Sequence, residues 1–213
     1  VKLYTYFRSS AAFRVRIALN LKGLAYEPRF VHLRKGEQSR APYGAVNPQG
    51  LVPALELDDG RRLAQSLAII EYLDEVHPGL PLLPREPLSR ARVRSLSQLI
   101  ACEIHPLNNL RTLQYLRSAL RQDEEGVGRW YRHWIVDGFA KLEAELAGAR
   151  DTGRFCHGDA PGMADCCLVP QVFNARRYEF DAGRYPTIMR VFEECMKLDA
   201  FDRAQPSKQP DAE

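Results

Sequence analysis

Two adjacent hydroxyls, Ser9 and Ser10, stand between Arg8 and the run "AAFRVRIAL" that ends at Leu19. Two kinds of chemistry are open to them. A serine at a helix start caps an unpaired backbone N–H, worth about 1 kcal/mol. The same hydroxyl, beside the positive end of the helix, can instead stabilise a thiolate. One cap accounts for one serine and leaves the other over. Two further pairs invite a double reading. Val52-Pro53 interrupts an apolar, strand-like run. Proline there either marks an edge or takes a cis bond that turns the Val52 backbone outward, where it could pair with a short extended peptide. Gln65-Ser66 opens a helical pattern. Ser66 is either a plain cap or, with the N–H groups of the helix end, part of a carboxylate site.

The elements that must position these pairs are legible in the periodicity. Lys2 to Phe7 is rich in aromatic and β-favouring residues and predicts a strand. Phe13, Ile17 and Leu21 then recur at helical spacing, and Gly23 closes the run. "AYEPRFVHL", residues 25–33, predicts a second strand, with Pro28 placing it at an edge or a bulge. Strand, helix and strand with short connections make a βαβ unit with parallel strands. Residues 51–57 and "RRLAQ" flank the turn "DDG" as a hairpin, and a helix from Ser66 ends before Pro78. The expected fold is an α/β thioredoxin-like domain with a mixed sheet over residues 1–79. A proline-rich linker at 80–87 and an all-helical domain at 88–213 follow. Helical segments are predicted over 88–120, broken at Pro106, and over 124–146, 164–178 and 186–198. The last ten residues, "AQPSKQPDAE", read as an extended tail.

A thiolate site, a peptide-pairing edge and a carboxylate site in one small domain suit a small acidic thiol peptide, and glutathione fits that description. Composition narrows the partners. The net charge of +3 is modest and its basic residues are dispersed, which argues against nucleic acid. No apolar run is long enough to cross a membrane, and the start lacks the features of a signal peptide. Five cysteines without a Cys-x-x-Cys suggest reduced thiols in the cytoplasm. No metal-ligand spacing is present, so no metal is expected.

"YFRSSAAFRVRIALNLKG", "AVNPQGLVPALE" and "QSLAIIEYLDE" resemble the zeta class of glutathione transferases, which includes the maleylacetoacetate and maleylpyruvate isomerases. The similarity continues through "IACEIHPLNNLRTLQYL", "GRFCHGD", "ADCCLVPQVFNARRYEFD", "YPTI" and "QPD", so it spans almost the whole chain. The resemblance implies a glutathione transferase fold, a homodimer and glutathione as cofactor. It also implies reversible thiolate addition to the enone of a small acidic cis-enone diketo acid, converting maleylacetoacetate to fumarylacetoacetate in tyrosine and phenylalanine breakdown. Maleylpyruvate isomerisation, or transferase and dehalogenase chemistry on small electrophiles such as α-halo acids, is the alternative.

Carried over by position, glutathione binding falls on Ser9, Ser10, Gln38, Val52, Pro53, Gln65 and Ser66, joined by His105 and Asn109. Ser9 and Ser10 are the expected catalytic pair, Ser9 facing the thiol and Ser10 better placed to cap. Arg8, Arg111 and Arg177 are expected to hold the substrate. Arg14 and Arg16, inside the first helix, read as a solvated face or structural ion pairs. The chain departs from the resemblance in two places. Ala11 stands where cysteine often follows the two serines, so the thiol must come from glutathione. Gly162 stands where a Ser/Thr cap often precedes Asp165, and glycine fills that role at a cost of only a few tenths of a kcal/mol.

Overall fold

In a computed structural model covering residues 1–213, the chain forms two compact units. One comprises Val1–Leu83 together with Met196–Glu213; the other is Pro84–Cys195.

The first unit is built on four strands: β1 (Lys2–Thr5), β2 (Glu27–Phe30), β3 (Ala54–Glu56) and β4 (Arg62–Ala64), in the order β2-β1-β3-β4. β1 pairs parallel with β2 and antiparallel with β3, and β3 pairs antiparallel with β4. The sheet is mixed, as the sequence predicts. β2 is an edge strand, so the missing N–H of Pro28 leaves no central ladder broken. Glu56 on β3 ties the sheet's surface together. Its carboxylate accepts from Lys2 Nζ at 2.8 Å and Arg62 Nε at 2.9 Å, and from the Tyr4 hydroxyl at 3.3 Å.

α1 (Ser10–Leu21) makes the parallel crossover. It is buried almost all round, Phe13, Val15, Ile17 and Leu19 together with Arg14 and Arg16. Here the expectation of a solvated arginine face fails. The helix packs on α3 (Ser66–Val76) on one side and on α9 (Asp199–Asp202) on another, so no face is left to water. Arg16 makes no ion pair; its guanidinium is satisfied by oxygens of Thr5, Tyr6, Phe7 and Ala204.

The C-terminal residues are not an extended tail. α8 (Pro186–Met196) leads into α9, a 3-10 turn at Pro206–Lys208, and side-chain bonds from Gln209 to the carbonyls of Arg203 and Gln205. Their polarity hid this from the sequence, because the segment is held by hydrogen bonds and by the buried Phe201 and Ala204, without an apolar period. The start of the proline-rich stretch is also anchored. Asp74 on α3 accepts from the N–H groups of Leu82 and Leu83 at 2.8 and 3.1 Å, and pairs with the buried Lys22 at 2.6 Å.

The second unit is helical: α4 (Pro87–Gln98), α5 (Leu110–Ser118), α6 (Glu124–Gly148) and α7 (Met163–Ala175), continuing into α8. The break expected at Pro106 is a π-helical turn, Leu99–Ile104, followed by a 3-10 turn, His105–Asn108. Ile104 reaches into a notch in α6 at Gly138, where an added Cβ would lie 2.4 Å from its Cγ1. Asp165 accepts from the N–H groups of Gly162 and Cys156, each at 2.8 Å, so it holds the start of α7 without a cap side chain on Gly162. Burial pushes its carboxyl above the ordinary aspartate range.

Candidate functional site

The strand register gathers the predicted residues of the first unit. Thr5 pairs with Phe30, Tyr4 with Ala54, and Ala54 with Ala64. The segments that leave β1, β2 and β4, and the one that enters β3, therefore lie at a single end of the sheet. Arg8, Ser9 and Ser10 follow β1; Gln38 follows β2; Val52-Pro53 immediately precedes β3; Gln65-Ser66 immediately follows β4.

At the first helix start the capping role expected of Ser10 falls to Ser9. Ser9 is the N-cap: its Oγ accepts from the Ala12 N–H at 3.2 Å. Ser10 is the first helical residue and is buried. The cap requires an extended backbone, and it is Ser9, with φ −71° and ψ 115°, that has it. Capping uses only an acceptor lone pair of Ser9 Oγ and leaves its hydroxyl proton to donate elsewhere.

The second helix start differs. Ser66 is not the cap of α3 but its first residue; the N-cap is Gln65, with no side-chain bond to the helix. Gln65 sits at φ 69°, a left-handed backbone that costs a non-glycine residue about 1–3 kcal/mol. Its Nε2 donates to Gln49 Oε1 at 2.7 Å. Arg14 Nη1 donates to Ser66 Oγ at 3.2 Å, joining the starts of α1 and α3. That link was missed in the sequence. Its one signal was an arginine amid Phe13, Val15 and Ile17 in a helix apolar on more than one side.

Val52-Pro53 is cis. No hydrogen bond within the chain engages the Val52 N–H or C=O. The preceding loop is rigidly held: Tyr43 Oη and Asn47 Nδ2 both donate to the Leu51 carbonyl, at 2.6 and 2.7 Å. Gln38 backs onto this loop, its carbonyl 3.4 Å from the position a Cβ on Gly50 would take, and Gly50 itself has φ +63°. The Gln38 Oε1 is buried and accepts no hydrogen bond. An unpaired backbone at Val52, an uncapped helix start, an orphaned amide oxygen and a capping hydroxyl with a proton to give form a set of donors and acceptors that suits glutathione.

In the second unit, His105 opens the 3-10 turn and Asn109 follows its last residue. Asn109 Oδ1 caps α5 through the Arg111 N–H at 3.2 Å, leaving its Nδ2 for a ligand. The turn is braced by Trp130 Nε1 to the Leu107 carbonyl at 2.7 Å and by Thr112 Oγ1 to that of Pro106 at 2.8 Å. Asn108, which sequence reasoning passed over, is buried with neither side-chain polar atom bonded. Arg8, Arg111 and Arg177 are exposed, and none forms an ion pair within the chain. Arg111 is on α5 and Arg177 follows α7, beside the stacked rings of Tyr131 and Tyr178; no hydrogen bond or ring contact joins the two arginines.

The chain's own thiols are poorly placed for chemistry. Four of the five cysteines are buried and none is in a disulfide. Burial pushes the Cys156 and Cys195 thiols well up, and the nearby Asp165 adds to this. No group of three or more His, Cys, Asp or Glu side chains could hold a metal, and no helix is long and apolar enough to cross a membrane.

Residues 8–76 match the glutathione S-transferase N-terminal domain family and residues 116–195 the C-terminal domain family. A probable maleylacetoacetate isomerase of Vibrio cholerae is 50% identical over 212 residues, 99% of this chain and 97% of that one. The holo structure of a bacterial maleyl pyruvate isomerase, a zeta-class glutathione S-transferase, superposes with a TM-score of 0.97 at 48% identity, covering 100% of both chains. The chain belongs to the zeta class of glutathione transferases. A second solved structure, the maleylacetoacetate isomerase of Methylobacterium extorquens with bound malonate and glutathione, also has a TM-score of 0.97, at 47% identity and with 100% of both chains covered. In this glutathione transferase the residues gathered at that sheet end, from Arg8 to Ser66, lie inside the N-terminal family match, while β1 itself precedes it.

Proposed function

We propose that the protein is a glutathione-dependent cis–trans isomerase that converts maleylacetoacetate to fumarylacetoacetate. The observation that carries this reading is the assembly of Ser9, Val52-Pro53 and Gln65-Ser66 at one sheet end, with Ala11 in place of a cysteine beside them. When bound, glutathione supplies a thiolate that adds reversibly to the enone and is recovered unchanged.

The chain's residues have separable tasks. Ser9 accepts from the Ala12 N–H and donates its proton to the sulfur, while the α1 N-terminus favours the negative charge. The unpaired backbone of Val52 pairs with the tripeptide backbone. Ser66 and the N–H groups opening α3 hold a carboxylate. Gln38, Gln65, His105 and Asn109 complete the contacts to glutathione, and Ser10 stands behind them as the buried first residue of α1. Arg8, Arg111 and Arg177, lacking internal counter-ions, hold the carboxylates of the diketo acid and stabilise charge developing on its carbonyl oxygen. No net proton leaves the substrate, so no Ser/His or Cys/His base is required.

Maleylpyruvate is the second reading, favoured by the superposition on a maleyl pyruvate isomerase along the whole chain. Both acids are cis-enone diketo acids. Supplying each acid in turn to purified protein, with and without glutathione, separates them: glutathione-dependent isomerisation with a higher kcat/KM for maleylacetoacetate is expected. Turnover of α-halo acids alone would contradict the reading. We further propose a homodimer working in the reducing cytoplasm, consistent with five cysteines outside disulfides; light scattering tests the dimer.

A further inference from the structure

The loop Tyr6–Arg8 joins β1 to α1, so whatever holds this loop sets the place of Ser9. The Ser9 N–H donates to the Tyr6 carbonyl at 3.0 Å, closing a turn. From further along α1, Arg16 holds the carbonyl side: Nη2 donates to the Phe7 carbonyl at 3.0 Å, and Nη1 to the Tyr6 carbonyl at 3.4 Å and Thr5 Oγ1 at 3.1 Å. The N–H side is held from the other end of the chain. The Phe7 N–H donates to Asp211 Oδ2 at 2.9 Å, across 204 residues of sequence. Phe7 is only 6% exposed, so water is poorly placed to replace a lost acceptor. Both backbone polar groups of Phe7 are thus taken by side chains, and one of those side chains belongs to the C-terminal segment.

We propose that Asp211 is a positioning residue for Ser9, fixing through the Phe7 N–H the loop that presents the Ser9 hydroxyl to the thiol. The rest of the segment is attached independently of the loop: Asn20 Nδ2 donates to the Ala200 carbonyl at 2.9 Å and Arg16 Nε to that of Ala204 at 3.1 Å. Removing the Asp211 carboxylate therefore releases the N–H side of the loop, with Arg16 still on its carbonyls, while the segment stays docked. A carboxylate is also the stronger kind of acceptor for a backbone N–H, which suits a contact that must hold one geometry. The inference rests on the reading of Ser9 as the thiol partner.

The test compares Asp211→Ala, Asp211→Asn, Ser9→Ala and the double variant Ser9→Ala/Asp211→Ala. Two readouts precede any assay: amide exchange at Phe7 in the protein alone, and thiolate absorbance of bound glutathione against pH. Asp211→Ala should speed exchange at Phe7 and raise the bound thiol's titration midpoint by about one unit. It should lower kcat on the order of tenfold, since small misplacements at a reacting centre are amplified. KM for the acid should change less than kcat, because Arg111 and Arg177 lie outside the loop and only Arg8 moves with it. Asp211→Asn, whose amide oxygen still accepts the N–H, should recover most of the titration. In the Ser9→Ala background the Asp211→Ala shift should vanish. A folded Asp211→Ala with the wild-type midpoint overturns the inference alone, provided Ser9→Ala does shift it; an unshifted Ser9→Ala overturns the Ser9 reading and the inference with it. If Asp211→Ala does not fold, Asp211→Glu moves the oxygens by one methylene and should show the same shift in smaller size. A wild-type midpoint there overturns the inference equally.

Discussion

At the scale of single residues, the site reuses side chains that also hold the fold. Ser9 is both helix cap and proposed thiol donor, so Ser9→Ala should do two things at once. The melting temperature should fall by an amount matching about 1 kcal/mol, and the thiol midpoint of bound glutathione should rise. Ser10→Ala should leave the cap intact; a larger loss of stability there than in Ser9→Ala would contradict the assignment. Gln65 tells the opposite story. Its left-handed backbone has no structural return visible in the helix, since its side chain caps nothing. Gln65→Gly should therefore melt no lower than the parent while binding glutathione more weakly, as calorimetry would show. For the substrate, Arg111→Ala and Arg177→Ala should each raise KM for the diketo acid roughly ten- to a hundredfold, the worth of a charge-assisted bond, with little change for glutathione. Unchanged steady-state kinetics would remove them from the site.

At the scale of elements, the sheet's surface is pinned by Glu56. Its hydrogen bonds to Lys2 and Arg62 hold its carboxyl at about 2, well below the ordinary glutamate value. A depressed carboxyl stabilises the fold fully above its unfolded value near 4.3 and loses that contribution as the pH falls towards 2. Glu56→Gln should flatten the acid limb of the stability profile between about pH 5 and 2, measured by denaturant titration at successive pH values. In the helical unit, Asp165→Ala would orphan the N–H groups of Cys156 and Gly162 and should cost about 3 kcal/mol. The strands, the βαβ crossover and the helix starts were legible because period and turn chemistry are local. The burial of Arg14 and Arg16 was not, because Arg14 meets Ser66 at the start of α3 and Arg16 meets the Ala204 carbonyl in the C-terminal segment, both far along the sequence. The π turn before His105 was equally hidden: it depends on Ile104 entering the notch at Gly138, a contact across 34 positions that no window of sequence contains.

At the scale of the whole molecule, the chain carries its reactive sulfur in a cofactor and keeps most of its own sulfurs buried. Four cysteines lie in the core, two of them with thiols raised by burial, and Ala11 occupies the position nearest the helix start where a thiol could act. The fold then has only to bring a hydroxyl, the unpaired backbone of Val52 and an uncapped helix to one sheet end, and the register does so. In the proposed reaction glutathione is a catalyst and not a reactant. The most direct measurement counts free thiol while the cis acid is turned over many times in excess of the glutathione present. The trans acid should accumulate, turnover should stop when glutathione is left out, and the thiol count should stay constant. Loss of one thiol for each molecule of acid consumed would show conjugation instead and would contradict the proposed reaction.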